Sequence, residues 1–328
     1  MEAKVRVAVR EFKRVSSVGE VVDAFGEFSG DPLAHALFVE LLNGDAALAR
    51  WPPRGQYAAS VYKALLTRTN SEEVSDGLAE KLALAMTAPE EDQSHLTLEL
   101  SPQSPLTLRV FEKDNVLGLR LWPAAEIFAA YVAAEPGRFN GATIVELGAG
   151  IGLAGLAVAK VATPKSVWLT DGDPTVLQNL HYNVEISDSN LCFVMAIDWT
   201  DFKIDDLRQD TRWQDPDRLV ILAADALYDP HVATSFAEVL RDIATLSGKK
   251  RPAEIWLINE IRDERTWKTS LDALHSSLTL VADETDHAIR AIDHAGVPLL
   301  SKRRWHQRHK PRAQNGALRL LRFSPSCN

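Results

Sequence analysis

The sequence predicts an α/β protein: a doubly wound, mostly parallel sheet with helices on both faces, preceded by a smaller, mainly helical N-terminal domain. Three observations predict it. Between residues 143 and 228, four near-continuous apolar runs each end in an acidic residue, as buried parallel strands do when a ligand edge follows them. A turn with three alternating glycines follows the first run and opens an apolar helical stretch. Residues 1–92 instead carry apolar positions at helical spacing. A chain of 328 residues can hold one large and one smaller domain.

Composition narrows the class. Hydrophobic residues make up 46% and charged residues 25%, ordinary values for a globular protein. A net charge of −9 argues against nucleic acid as the main partner. The two cysteines, Cys192 and Cys327, cannot build a disulfide framework, so a reducing, cytoplasmic compartment is expected. The mixed-charge start Met1-Glu2-Ala3-Lys4 is unlike a signal peptide. The apolar stretch from Ile144 to Ala162 approaches the length of a membrane span. Glu146, Lys160 and several glycines interrupt it, and strand–turn–helix accounts for it better.

The N-terminal elements follow in order. Ser17 and Glu20 form a capping box ahead of Val21, Val22, Phe25 and Phe28. Ala34 to Leu42 and Ala58 to Leu66 read as further helices, punctuated by Gly30-Asp31-Pro32 and Trp51-Pro52-Pro53-Arg54-Gly55. The polar run Glu90-Glu91-Asp92-Gln93-Ser94 marks a boundary, dividing the chain at 1–92 and 93–328. Leu96 to Leu100 and Leu106 to Phe111 then suggest a hairpin around a Pro/Ser turn.

Thr143 to Leu147 is the first strand of the sheet, followed by Gly148, Gly150 and Gly152 and the helical run Leu153 to Val161. Such glycines let backbone approach a ligand closely, and the helix start offers free N–H groups. This is a nucleotide-type cofactor site. A dinucleotide fingerprint would need glycine at 153, where Leu153 stands. Glu146, at the strand end, suits a cation and opposes a pyrophosphate. Ser166 to Asp171 is the next strand, and Asp171 stands where an acid accepts ribose hydroxyls. Asp173 and Pro174 start a helix. Leu191 to Ile197 ends at Asp198-Trp199, and Arg218 to Ala224 ends at Asp225-Ala226-Leu227-Tyr228. A further strand lies near Ile255 to Glu260, and a last one spans Ala317 to Phe323.

Other chemistries lack their motifs. No zinc spacing, nucleophile elbow or P-loop is present, and no metal is expected. The basic cluster 302–312, with Trp305 inside it, is either a solvated loop or a contact for acidic protein or RNA.

The acidic-x-G-x-G-x-G run of 146–152 resembles motif I of the class I, seven-strand methyltransferases. Asp225-x-x-Tyr228 and Trp122-Pro123-Ala124-Ala125 are similar to the D-x-x-Y and W-x-A-A segments of methyltransferase family 16, whose members mostly methylate lysines of particular proteins. The resemblance implies a Rossmann-like seven-stranded sheet and S-adenosyl-L-methionine as cofactor. It implies that Trp122, Glu146, Gly148, Gly150, Gly152, Asp171, Asp198, Trp199 and Ala224 line the cofactor site. Asp198 would take the adenine amino group and Trp199 cover the ring. Asp225 and Tyr228 would guide the amine. Trp51-Pro52-Pro53, Tyr57 and the segment 74–82 resemble the branch of the family acting on eukaryotic elongation factor 2. That implies a protein partner, with residues 1–92 recognising it; a monomer is expected, and the interrupted apolar run speaks against a membrane. A small-molecule methyltransferase and a non-catalytic cofactor-binding module are the alternatives.

Overall fold

The computed structural model describes residues 1–69, 75–89, 91–101, 103–111, 116–248, 251–297 and 316–326. The basic cluster 302–312 lies outside the described residues. The chain divides into two compact units, Met1–Glu99 with Pro105–Asn115, and Leu100–Ser104 with Val116–Asn328. The hairpin thus groups with the helices, whereas the sequence reading opened the second domain ahead of it.

The first unit holds α1 (Glu2–Lys13), α2 (Val18–Phe25), α3 (Pro32–Asn43), α4 (Ala46–Arg50), α5 (Gly55–Leu66) and α6 (Asp76–Thr87), then the antiparallel hairpin β1 (Gln93–Glu99) and β2 (Pro105–Phe111). Its caps are local. Ser17 and Glu20 complete the capping box, and Asp31 and Asp45 accept the first N–H groups of α3 and α4. The core is aromatic. Phe12 stacks on Tyr57 and Tyr62, both at 5.6 Å, and meets Phe38 edge-on at 5.8 Å. Tyr57 therefore serves packing. Trp51 lies 5.1 Å from the His95 ring, which ties the Trp51-Pro52-Pro53 turn to β1.

The second unit contains α7 (Pro123–Ala134), β3 (Thr143–Leu147), α8 (Leu153–Val161), β4 (Ser166–Asp171), α9 (Pro174–Ile186), β5 (Cys192–Ala196), α10 (Ile204–Gln209) and β6 (Leu219–Ala224). It continues through α11 (Ala233–Ala244), β7 (Glu254–Glu260), α12 (Glu264–His275), β8 (Leu278–Asp283), α13 (Thr285–Ala295) and β9 (Leu318–Pro325). The seven strands run in the order β5-β4-β3-β6-β7-β9-β8. The first five are parallel; β9 inserts antiparallel between β7 and β8.

Alternation along each strand places helices on both faces. Ile255 and Leu257 join Phe236, Leu240 and Ile243 of α11 in one core cluster. Trp256 between them meets Tyr131 of α7 at 5.8 Å. Strand order reverses between β3 and β6, and open α/β sheets bind ligands beside such a switch point. The glycine-rich loop begins there. Among the described residues no helix is long and apolar enough to cross a membrane, and the stretch from Ile144 to Ala162 is β3, a turn and α8.

Candidate active site

The loop after β3 is shaped by its glycines. Gly148, Gly150 and Gly152 have φ of +65°, +55° and +85°, a region costly for other residues. A Cβ on Gly148 would stand 3.0 Å from the Trp199 ring, and one on Gly150 would stand 3.0 Å from the Gly118 carbonyl oxygen. The loop is held by its neighbours. The Gly150 N–H donates to Asp171 Oδ2 at 3.0 Å, and Asn183 of α9 donates to the Ile151 carbonyl at 2.9 Å. Gly152 is the N-cap of α8 and gives it no side-chain cap, which leaves the helix start to a ligand or solvent.

Glu146 does not face outward. It is buried, and its Oε2 accepts the Gly155 N–H at 2.8 Å. Burial pushes its carboxyl up to about 8 against that hydrogen bond, with Asp171 adding to the rise. Its contact thus joins β3 to α8 beneath the loop. Gly155 is what permits this: a Cβ there would lie 2.3 Å from Leu169 Cδ2 and 2.7 Å from Glu146 Oε2. The close helix-to-sheet approach assigned to a third glycine in dinucleotide folds is made here by Gly155, while Leu153 is buried. A glycine inside an apolar helical run was the available signal.

Asp171 closes β4. Its Oδ1 accepts the Asp173 N–H at 3.2 Å and its Oδ2 the Gly150 N–H. Burial raises its pKa, opposed by those N–H groups and that of Gly172. A carboxylate has about four lone-pair sites, so acceptor capacity remains for a pair of hydroxyls. Asp198 is exposed, and its Oδ1 takes the Thr200 N–H and hydroxyl at 2.8 and 2.7 Å, which hold its pKa low. Trp199 is half-buried between Gly148 and Phe236, whose ring centroid is 4.7 Å away. Together these residues form a half-open cradle at the carboxyl ends of β3, β4 and β5. The spare acceptor capacity of Asp171 and the uncapped start of α8 are compatible with S-adenosyl-L-methionine as cofactor.

The loop after β6 is strained and pinned. Ala224 is half-buried beside it. Asp225 is buried with φ +57°, a conformation non-glycine residues adopt rarely. Its Oδ1 accepts the Glu260 N–H at 2.9 Å, and its Oδ2 accepts the Arg262 guanidinium at 3.0 Å. Burial raises its pKa, and Arg262 and the Glu260 and Ala124 N–H groups act against that. Asn259 brackets the next residue, accepting the Leu227 N–H at 2.9 Å and donating to the Leu227 carbonyl at 3.4 Å. Tyr228 is left 52% exposed at the edge, its hydroxyl pKa raised by partial burial and by the carboxylates of Asp171 and Asp229. Trp122 is half-buried, donates to the Leu117 carbonyl at 2.9 Å and carries the Arg262 guanidinium 4.9 Å above its ring.

The fold therefore gathers all the sequence-predicted site residues around one edge of the sheet, with Glu146 under the loop and Asp225 enclosed by protein donors. Asn183, Asn259 and Arg262 were not expected there: within the sequence they read only as parts of a helix and a strand.

The lysine methyltransferase family matches this chain over residues 101–270. The human protein-lysine N-methyltransferase EEF2KMT is 30% identical over 232 residues, covering 66% of this chain and 68% of the relative. Its mouse counterpart is 28% identical over 233 residues, covering 68% and 69%. The calmodulin-lysine N-methyltransferase of Arabidopsis thaliana is 38% identical over 72 residues, covering 22% of this chain and 24% of the relative. With the site at the carboxyl edge, these matches establish that the chain belongs to the lysine methyltransferase family and is an S-adenosylmethionine-dependent methyltransferase.

Proposed function

We propose that the protein methylates a lysine of a protein substrate, and that the substrate is elongation factor 2. The observation that carries the reading is the 225–228 loop. It is pinned from β7 through Asp225 and Asn259, and it leaves Tyr228 exposed within the field of Asp171. The EEF2KMT relatives support the choice of factor.

S-adenosylmethionine supplies an activated methyl group when bound. Asp171 would hold its ribose hydroxyls, Asp198 and Trp199 its adenine, and the Gly148–Gly152 backbone its amino-acid portion. Glu146 sets the height of that backbone by gripping Gly155. Ala224 and Trp122 line the methyl end. The substrate nitrogen must arrive in line and uncharged; as its lone pair forms the new C–N bond the methyl–sulfur bond would break, the thioether would leave neutral, and the alkylated nitrogen would release a proton to solvent. An ordinary lysine titrates near about 10.4. A partly dry channel walled by Tyr228 and Trp122 favours the neutral amine. Alignment at such a wall contributes several kcal/mol. Asp225, with both oxygens engaged, orients the loop. The helical unit, residues 1–92, recognises the folded substrate, since a standard protein interface buries about 1,200–2,000 Å².

Incubation of the purified protein with tritiated S-adenosylmethionine and a eukaryotic cell extract tests this. One labelled band at the size of elongation factor 2 is expected. Label in a different protein would overturn the choice of factor. Label confined to small molecules would overturn protein methylation.

A further inference from the structure

We propose that Arg262 is a positioning residue for methyl transfer: it clamps the strained 225–228 loop and the Trp122 wall into one acceptor pocket. The inference rests on the reading that this loop receives the lysine. Three separate segments meet at this one side chain. Its guanidinium bonds Asp225 Oδ2 at 3.0 Å and Glu260 Oε2 at 3.4 Å, and lies 4.9 Å above the Trp122 ring. Asp225 follows β6, Glu260 ends β7, and Trp122 precedes α7.

The geometry asks for such a clamp. Asp225 sits at φ +57°, and a conformation of this kind persists only where its surroundings hold it. Its side chain is 3% exposed, so its charge needs a partner, and Arg262 is the cation that reaches it. Arg262 itself is 38% exposed on its side chain, which places it at the rim. One nitrogen, Nη2, donates to both carboxylates while the flat group lies over the indole. A lysine could supply the charge but not that delocalised plane. The cation also occupies one face of Trp122, so the indole offers the incoming lysine a wall and no cation–π seat on that face. That disfavours a protonated amine and favours the neutral one that reacts.

Two variants and two measurements decide it. In Arg262→Gln and Arg262→Lys, S-adenosylmethionine affinity by calorimetry is expected to stay within about twofold of wild type, since of the cofactor-lining residues Arg262 meets Trp122 at the methyl end and not the glycine loop, Asp171, Asp198 or Trp199 that carry the ribose and adenine. Turnover of the labelled protein substrate should fall about tenfold or more in kcat for Gln, with KM changing less, and the Lys variant should recover only part of it. Amide hydrogen exchange at residues 225–228 in the free protein should rise about tenfold in Arg262→Gln. Unchanged exchange with unchanged kcat overturns the clamp. Loss of cofactor binding together with kcat also overturns it, because the effect would then be general. If the wild type labels no protein, the proposed function fails, and the exchange rates still decide the clamp.

Discussion

The helical unit and the sheet unit use the same bond for different ends. The carboxylate and hydroxyl helix caps of the first unit act close by: Asp31 on Leu33 and Ala34, Asp45 on Ala47 and Leu48, Ser17 on Glu20. The sheet unit has local caps too, Asp173 on Thr175 and Val176 among them, but at its ligand edge such bonds also cross the fold. Asp171 accepts from Gly150, Asn259 from Leu227, and Asp225 from Glu260, over separations of 21, 32 and 35 residues. A local cap stabilises one helix end. A long-range bond to a loop fixes where two strand ends sit relative to each other, which is the requirement of a site. The buried charges differ likewise. Lys13 pairs with Asp45 at 2.7 Å inside the helical unit, whereas Glu146 accepts the Gly155 backbone N–H and burial pushes its carboxyl up to about 8.

Substitutions can break this contrast. The largest effect is expected from Gly155→Val, which drives a branched side chain into Leu169, Glu146 and Val167. It should cost about 4 kcal/mol or more, read as a lowered denaturant midpoint. A loss under 1 kcal/mol would mean that α8 can shift off the sheet freely. Asp225→Ala comes next. Its carboxylate is enclosed by the Glu260 N–H and Arg262, so the fold depends on it. A loss of about 2–3 kcal/mol is expected, most of it from the orphaned N–H because Arg262 is partly exposed. A mutant that melts like wild type would refute that role.

A third test uses pH. The folded-state pKa of Glu146 lies above its ordinary value of 4.5, so the native state holds this proton more tightly. Its contribution is fully present below about pH 4.5 and is lost as pH rises through about 8. Glu146→Gln keeps an acceptor for Gly155 and never ionises. Its stability should exceed that of wild type at pH 8 by on the order of 3–4 kcal/mol, with the gap closing toward pH 5. Parallel curves for the two proteins would show that Glu146 does not titrate in this window. The smallest effect belongs to the helical unit. Ser17→Ala should cost about 1 kcal/mol and leave cofactor affinity unchanged. Any weakening of cofactor binding would show that the local caps are not local in effect.

The sequence by itself determined the parallel sheet, the glycine loop, the capping box and the acids that end the strands. Each is a short-range pattern: period, turn chemistry or residue spacing within one strand–helix unit. It also carried enough of the family's motifs to name the cofactor. Only the tertiary structure decided which way those acids face and what they hold. Glu146 turns under the loop because Gly155 brings α8 within 2.8 Å of it, and Asp225 turns inward because β7 presents an N–H and Arg262 beside it. The insertion of β9 between β7 and β8, and the grouping of the hairpin with the helices, belong to the same class. Partners dozens of residues apart leave no periodic mark on either segment, so a carboxylate bound for solvent and one bound for a buried N–H are spelled alike.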